Sequence, residues 1–265
     1  MHTREVQFLT PDEIIAEREK TALIYLPLAP LEWHGPHLPL GVDPLRAYQA
    51  AKKLAGITGG LVLPTLFLGT ERERSAEMLK SIGFKEDRYI VGMDFPENSL
   101  PSLYFKEEVF ALVLRNCLEL LSESWRFKNI VIVNGHGAEN QLQVISRLVA
   151  EFNAGGRARL MAVMPMLNFP DHKWSHAALE ETETLMADYP NSVQLEKLPK
   201  KPQPLYNIRW AIVDDQTFRG KPARDYAVRR EEDPRDADPI RGRKVFNKTI
   251  ADLAVIIKRW LEEKK

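Results

Sequence analysis

The chain lacks the residues that several common chemistries need. Its 265 residues include a single cysteine, Cys117, which excludes an intramolecular disulfide, a C-x-x-C redox pair and a sulfur-rich structural metal site. The periodicity places Cys117 on one helical stripe with Val113, Leu114, Leu118 and Leu121, the pattern of a core residue rather than a reactive thiol. No apolar run approaches the roughly 18–20 residues that cross a bilayer. The N-terminus has no charged start followed by an apolar stretch, so the expectation is a cytoplasmic protein with no membrane partner. Charge of one sign is not in excess either: 37 Lys and Arg face 37 Asp and Glu, which gives no reason to expect a nucleic-acid partner. There is no G-x-S-x-G elbow, Walker A loop, G-x-G-x-x-G turn or H-E-x-x-H helix, and no internal repeat.

What is present has the form of an α/β protein. With 44% hydrophobic residues, residues 1–265 are long enough for one large domain. Thr10-Pro11-Asp12-Glu13 opens a short helix with a capping box, and the apolar run Thr21–Leu28 reads as a strand buried on both faces. A helix over Leu45–Leu54, ended by Gly56, and a second strand over Gly60–Phe67 follow. Residues 69–103 form an irregular excursion, and residues 105–123 are strongly helical. Phe127–Val133 is the clearest strand, followed by a helix to Phe152, a strand over Arg159–Met164, a loop at 165–175 and a helix over His176–Met186. The segment 189–243 is polar and extended, with a strand-like island at Ile208–Val213. Val245–Leu261 is an amphipathic helix burying Ile250, Leu253, Ile256, Ile257 and Trp260. Alternating strands and helices predict a mainly parallel sheet with helices on both faces.

The chemistry concentrates where strands end. Leu31 to Asp43 holds Glu32, His34, His37 and Asp43, and the i, i+2 spacing of Glu32 and His34 puts both side chains on one side of an extended segment. The chain has six histidines; apart from His2 they occupy three short windows, His34/His37, His136 and His172/His176, each after a predicted strand. Carboxylates and imidazoles converging in this way suit zinc or manganese. Glu139 follows the Asn134-Gly135-His136-Gly137 turn and reads as a carboxylate behind a ligand histidine or a helix N-terminal acid. In the third window His176 and Glu180 are i, i+4, and Glu181 reaches the site only if His176 precedes the helix. Helix geometry leaves Glu180, Glu181 and Glu183 open.

Four blocks carry a family resemblance: Glu32-x-His34-Gly-Pro-His-Leu-Pro-Leu-Gly-x-Asp43, Val133-Asn-Gly-His136-Gly, His176-Ala-Ala-x-x-Glu181-Thr, and Asp233-Pro-Arg-x-Ala-x-x-x-x-Gly-Arg243. Together they resemble the creatininase (creatinine amidohydrolase) family across about residues 20 to 260. The resemblance implies a three-layer α/β/α fold, a homohexamer, and a dinuclear site, zinc or manganese with iron as a further option, that hydrolyses C–N bonds of small amides through a metal-bridging hydroxide. By resemblance Glu32 and His136 hold one metal, His34 the other, Asp43 bridges, and His176 is catalytic. Ala138 stands where creatininase itself has the second metal's remaining carboxylate, so Glu181 becomes the preferred ligand, with a catalytic part, and Glu139 the reserve. Trp174 and His37 are the candidate substrate-binding residues.

Two departures argue against creatinine as substrate: the family's Phe-Pro-Gly-Thr stretch is replaced around Phe95-Pro96-Glu97-Asn98, and Trp174 lies two residues before His176. Formamides, small cyclic amides and peptides are the substrates of other relatives. A mononuclear deformylase or peptidase of the same family and a non-catalytic metal- or ligand-binding module are the competing readings.

Overall fold

The computed structural model describes residues 3–81, 83–95, 100–165, 176–208, 211–213, 228 and 230–263. The capping box forms as the sequence predicts: Thr10 accepts from the Glu13 amide and the Glu13 carboxylate from the Thr10 amide (2.8 Å), which starts α1 (Pro11–Thr21). Strand β1 (Leu23–Ala29) is buried along its whole length. The next helix, α2 (Val42–Thr58), begins three residues earlier than periodicity suggests and runs past Gly56 to stop at Gly59, whose φ is +82°. Its early start places Asp43 in the first turn.

The second strand candidate divides into β2 (Leu61–Val62) and β3 (Leu66–Phe67) on either side of Pro64, which has no amide to give a ladder; both pair in parallel with β1. A short helix α3 (Ala76–Ser81) lies in the irregular excursion. Helix α4 (Glu107–Glu119) continues into a π turn, and β4 (Asn129–Asn134), α5 (Glu139–Gly155) and β5 (Arg159–Val163) follow. Helix α6 (Leu179–Asp188) starts after His176. The strand-like island is a two-stranded antiparallel ladder, β6 (Tyr206–Ile208) and β7 (Ala211–Val213). Helix α7 (Pro239–Glu262) closes the chain, with Asp238 capping the Ile240 amide.

The main sheet is parallel, in the order β2-β1-β4-β5 with β3 also on β1. Alternating side chains of its strands feed two cores. Ile24, Leu26, Ile130, Ile132 and Leu160 pack under α4 and α5, whereas Leu23, Tyr25, Val131, Val133 and Val163 pack under α2 and α7. This is the three-layer α/β/α arrangement expected from the sequence. Two packing expectations are corrected. Cys117 is half-buried and Val113 exposed, because the inward stripe of α4 is Phe110, Leu114 and Leu118. Ile256 is exposed on α7, since the buried side runs through Ile250, Leu253, Ala254 and Ile257.

The register places the future site. Leu28 of β1 is paired with Asn134 of β4, so the loops that leave these two strands emerge side by side at the carboxyl end of the sheet. Two glycines let helices reach that edge. A Cβ on Gly135 would lie 2.4 Å from the Asp43 carbonyl oxygen, and one on Gly242 would lie 2.0 Å from the Glu183 carbonyl oxygen. Gly135 thus admits the start of α2 against the end of β4, and Gly242 admits α7 against the backbone of α6. Gly242→Ala is expected to force these helices apart, costing about 2 kcal/mol or more and lowering the melting temperature by roughly 5 °C; thermal unfolding measured by circular dichroism checks this.

Candidate metal centre

Three loops deliver five ligand-type side chains to one place. The loop after β1 carries Glu32 and His34, the first turn of α2 carries Asp43, the turn after β4 carries His136, and the first turn of α6 carries Glu181; all five are buried. The two oxygens of Asp43 point to different imidazoles: Oδ1 is 3.2 Å from His34 Nε2, and Oδ2 is 3.2 Å from His136 Nδ1. Glu32 Oε2 is also 3.2 Å from His136 Nδ1, and Glu181 Oε2 is 3.8 Å from His34 Nε2. Among the described residues three sets with ligand atoms within 4.8 Å of one another result: Glu32/Asp43/His136 and His34/Asp43/Glu181, with Asp43 common to both, and Glu32/His34/His176.

Local hydrogen bonds decide which ring atoms face inward. A main-chain carbonyl only accepts, so the Glu32 carbonyl oxygen, 3.0 Å from His34 Nδ1, places a proton there and turns Nε2 toward the carboxylates as the atom that carries the exchangeable proton. That Nε2 is buried, and among the described residues it makes no well-aligned hydrogen bond, although Asp43 Oδ1 is 3.2 Å away. In the same way His176 Nε2 donates to the Trp33 carbonyl oxygen at 2.7 Å, leaving Nδ1 facing Glu32 Oε2 at 3.8 Å. The His34 and His176 rings lie against each other, with centroids 4.0 Å apart. His136 is fixed through its backbone: its amide donates to Asn134 Oδ1 (3.3 Å) and its carbonyl accepts from Asn134 Nδ2 (2.6 Å), while Gln141 holds Asn134 (2.7 Å).

The charges explain one another. Burial alone would raise the pKa of Glu32 and of Asp43, but the adjacent histidines hold both below the ordinary carboxylate range. Burial would lower His34, yet Asp43, Glu181 and Glu32 push it up to about 9, and Glu32 and Asp43 raise His136 well above its usual value. His176 is lowered, by burial and by its neighbour His34. Three carboxylates thus demand positive charge, and the field that keeps protons on His34 and His136 would hold a divalent cation in their place. A donor set of imidazole nitrogen and carboxylate oxygen, with an orphaned buried Nε2 among them, fits zinc or manganese.

The choice that helix geometry leaves open in the third window is settled by where α6 begins. With His176 ahead of the helix, Glu181 turns inward, where its Oε2 accepts from the Ala177 amide (2.6 Å) and its Oε1 lies 3.4 Å from Arg46 Nη1 of α2. Ala177 itself is in the left-handed region, φ +59°. Glu183 instead pairs with Arg241 of α7 at 2.6 Å, and Glu180 is half-buried outside all the ligand clusters of the described residues. Glu139 is exposed at the rim, accepting from Gln143 (2.9 Å).

His37 does not line the cavity beside the cluster; it is buried behind it, hydrogen-bonded to Thr182 Oγ1 at 3.0 Å and lowered to a pKa of about 3 by burial and by His34 and His176. Trp174, His172 and the Pro96–Asn98 stretch lie outside the described residues.

The cluster floors a cavity of about 560 Å³, walled by Glu71, Arg74, Met78, Met93 and Met164. Two polar neighbours escaped the sequence reading. Tyr104 donates to Glu32 Oε1 at 2.5 Å, and Glu71 Oε2 lies 3.9 Å from His136 Nε2. Both come from the irregular excursion and its exit, where no periodicity or motif marks them.

No curated protein sequence matches the chain significantly. Among solved structures, a creatinine amidohydrolase (creatininase) superposes with a TM-score of 0.70 at 19% identity, covering 100% of both chains. A mutant creatininase of Zn–Zn type gives 0.69 at 19% identity over 99% of this chain and 100% of that one. A manganese creatininase gives 0.69 at 19% identity over 98% and 100%. These likenesses establish the fold. The Creatininase family model, described as creatinine amidohydrolase, matches residues 7–257, nearly the whole chain, and the protein therefore belongs to the creatininase family.

Proposed function

We propose that the protein is a two-metal amidohydrolase that cleaves a C–N bond of a small, non-peptide amide, a cyclic amide or a formamide. The observation that carries this reading is the divided grip of Asp43, whose two oxygens each stand 3.2 Å from the histidine of a different ligand set. Glu32, Asp43 and His136 would hold one cation, and His34, Asp43 and Glu181 the other. The donor set argues for zinc or manganese, and the solved creatininases that share this fold include Zn–Zn and Mn forms.

Once bound, such a pair supplies Lewis acidity toward the amide carbonyl and lowers the pKa of water to near neutrality. The chain's own residues do the rest. Arg46 and the Ala177 amide fix the Glu181 carboxylate, so its free lone pairs stay on the His34 side. His176, whose Nε2 proton is committed to the Trp33 carbonyl, presents Nδ1 to the cavity. Its lowered pKa leaves that atom free at neutral pH to take a proton and pass it to the departing nitrogen. Met78, Met93 and Met164 give the cavity an apolar wall.

Three outcomes follow from this arrangement. Asp43→Ala should lose both metal equivalents together, because one carboxylate serves both, and elemental analysis of the purified variant reads this directly. His176→Ala should keep both equivalents while kcat on a small-amide panel falls by about 10²–10⁴; metal analysis with steady-state rates separates the two effects. Cation affinity should rise with pH, since His34, raised from 6.5 to about 9, must release its proton. The sign for the metal-free fold is opposite: its stabilisation by protonated His34 is full below about pH 6.5 and fades as pH rises through about 9. Calorimetric zinc titrations at several pH values, in buffers of different ionisation enthalpy, report both the affinity and the protons released.

A further inference from the structure

The segment that leaves the irregular excursion wraps around Glu32. Leu103 donates its amide to the Leu31 carbonyl at 2.8 Å, and Trp33 donates its amide to Ser102 Oγ at 3.0 Å, so the main chain is held on both sides of Glu32. Between those two contacts Tyr104 reaches the carboxylate itself, donating to Oε1 at 2.5 Å. This leaves Oε2 as the oxygen turned toward His136 and His176. The phenol is in turn fixed by the excursion: its oxygen accepts from the Met93 amide at 3.3 Å.

Gly92 stands directly behind, and a Cβ there would lie 2.6 Å from the phenol oxygen and 2.5 Å from Glu71 Cγ. The backbone reaches this position by folding back on itself. Arg74 donates its amide to the Ile90 carbonyl (2.7 Å) and Gly92 donates its amide to the Arg72 carbonyl (3.1 Å), around the antiparallel bridge of Glu73 with Val91. An otherwise irregular stretch is thus tied down where it meets one carboxylate. The other set, His34, Asp43 and Glu181, receives no such contact from Tyr104 and has its own supports in Arg46 and the Ala177 amide.

We propose that Tyr104 is a positioning residue for Glu32, fixing its carboxylate so that the cation held with Asp43 and His136 binds more tightly than the same ligands alone would allow. This rests on the two-cation reading above. A carboxylate with one oxygen fixed loses less rotational freedom when the other binds, and outer partners of metal ligands commonly contribute 10–100-fold in affinity.

The test uses the full chain with zinc alone, titrated against a chromophoric chelator, and cobalt(II) as a spectroscopic probe. Wild type should take up two equivalents. In Tyr104→Phe, which removes only the hydroxyl, one equivalent should weaken roughly 10–100-fold and the other keep its wild-type affinity. The cobalt absorption of the weakened equivalent alone should shift, and the metal-free protein should melt as wild type does. Two unchanged affinities would overturn the proposal. So would equal weakening of both with a lowered metal-free melting temperature, the signature of a purely structural tyrosine. If wild type itself takes up fewer than two equivalents, the two-cation reading fails first, and that result is visible before any variant is made.

Discussion

Three carboxylates, Glu32, Asp43 and Glu181, are buried within reach of one another at the carboxyl edge of a parallel sheet. Isolated, each would be expensive to bury as an anion. The arrangement persists because every one of them meets positive charge or a donor: two imidazoles for Asp43 and Glu32, the guanidinium of Arg46 and the Ala177 amide for Glu181, the phenol of Tyr104 for Glu32. Asp43 has a further advantage, since it sits in the first turn of α2, where the helix dipole favours an anion. The same concentration of negative charge that is costly to bury is what would favour a cation there.

Such a cluster functions only if its members cannot drift, and the surrounding fold supplies that stiffness. Pairing of Leu28 with Asn134 sets the distance between the first two loops, and Gly135 lets α2 close onto them without a Cβ in the way. Asn134, Gln141 and Thr70 form a chain of buried hydrogen bonds behind His136, with Thr70 donating its amide to Gln141 at 2.8 Å. On the opposite side Gly242 brings α7 against α6, and Thr182 engages His37. The backbone of Ala177, in a conformation rare for a residue with a Cβ, is retained at the point where His176 and Glu181 both turn inward.

Much of this was legible in the sequence. The apolar runs of β1 and β4 and the amphipathic α7 report burial directly, and a residue's preference for leaving water does not depend on its partner. The windows around Glu32–Asp43, His136 and His176 stood out because polar, chemically active residues after apolar strands are unusual unless a site gathers them. Less was legible where the deciding partner is remote in sequence. His37 is bonded to Thr182, 145 positions away, a partner that nothing near His37 in the chain announces. Cys117 and Ile256 satisfy the helical period, yet the inward stripes run through Phe110, Leu114 and Leu118 and through Ile250, Leu253 and Ile257, which leaves the first half-buried and the second exposed.

The amino-acid sequence by itself determined the layers, the strands and the inventory of ligand-type residues, because these follow from hydrophobic period, turn residues and side-chain chemistry that act locally. Beyond what the family resemblance implied for Glu181 and Asp43, only tertiary structure decided that Glu183 turns to Arg241 while Glu181 faces the cluster, that each oxygen of Asp43 stands 3.2 Å from a different histidine, and that Tyr104 closes on Glu32. Each of these depends on where a second, distant segment sits, to within an ångström. Strand register and helix packing fix such positions, and no local pattern encodes them.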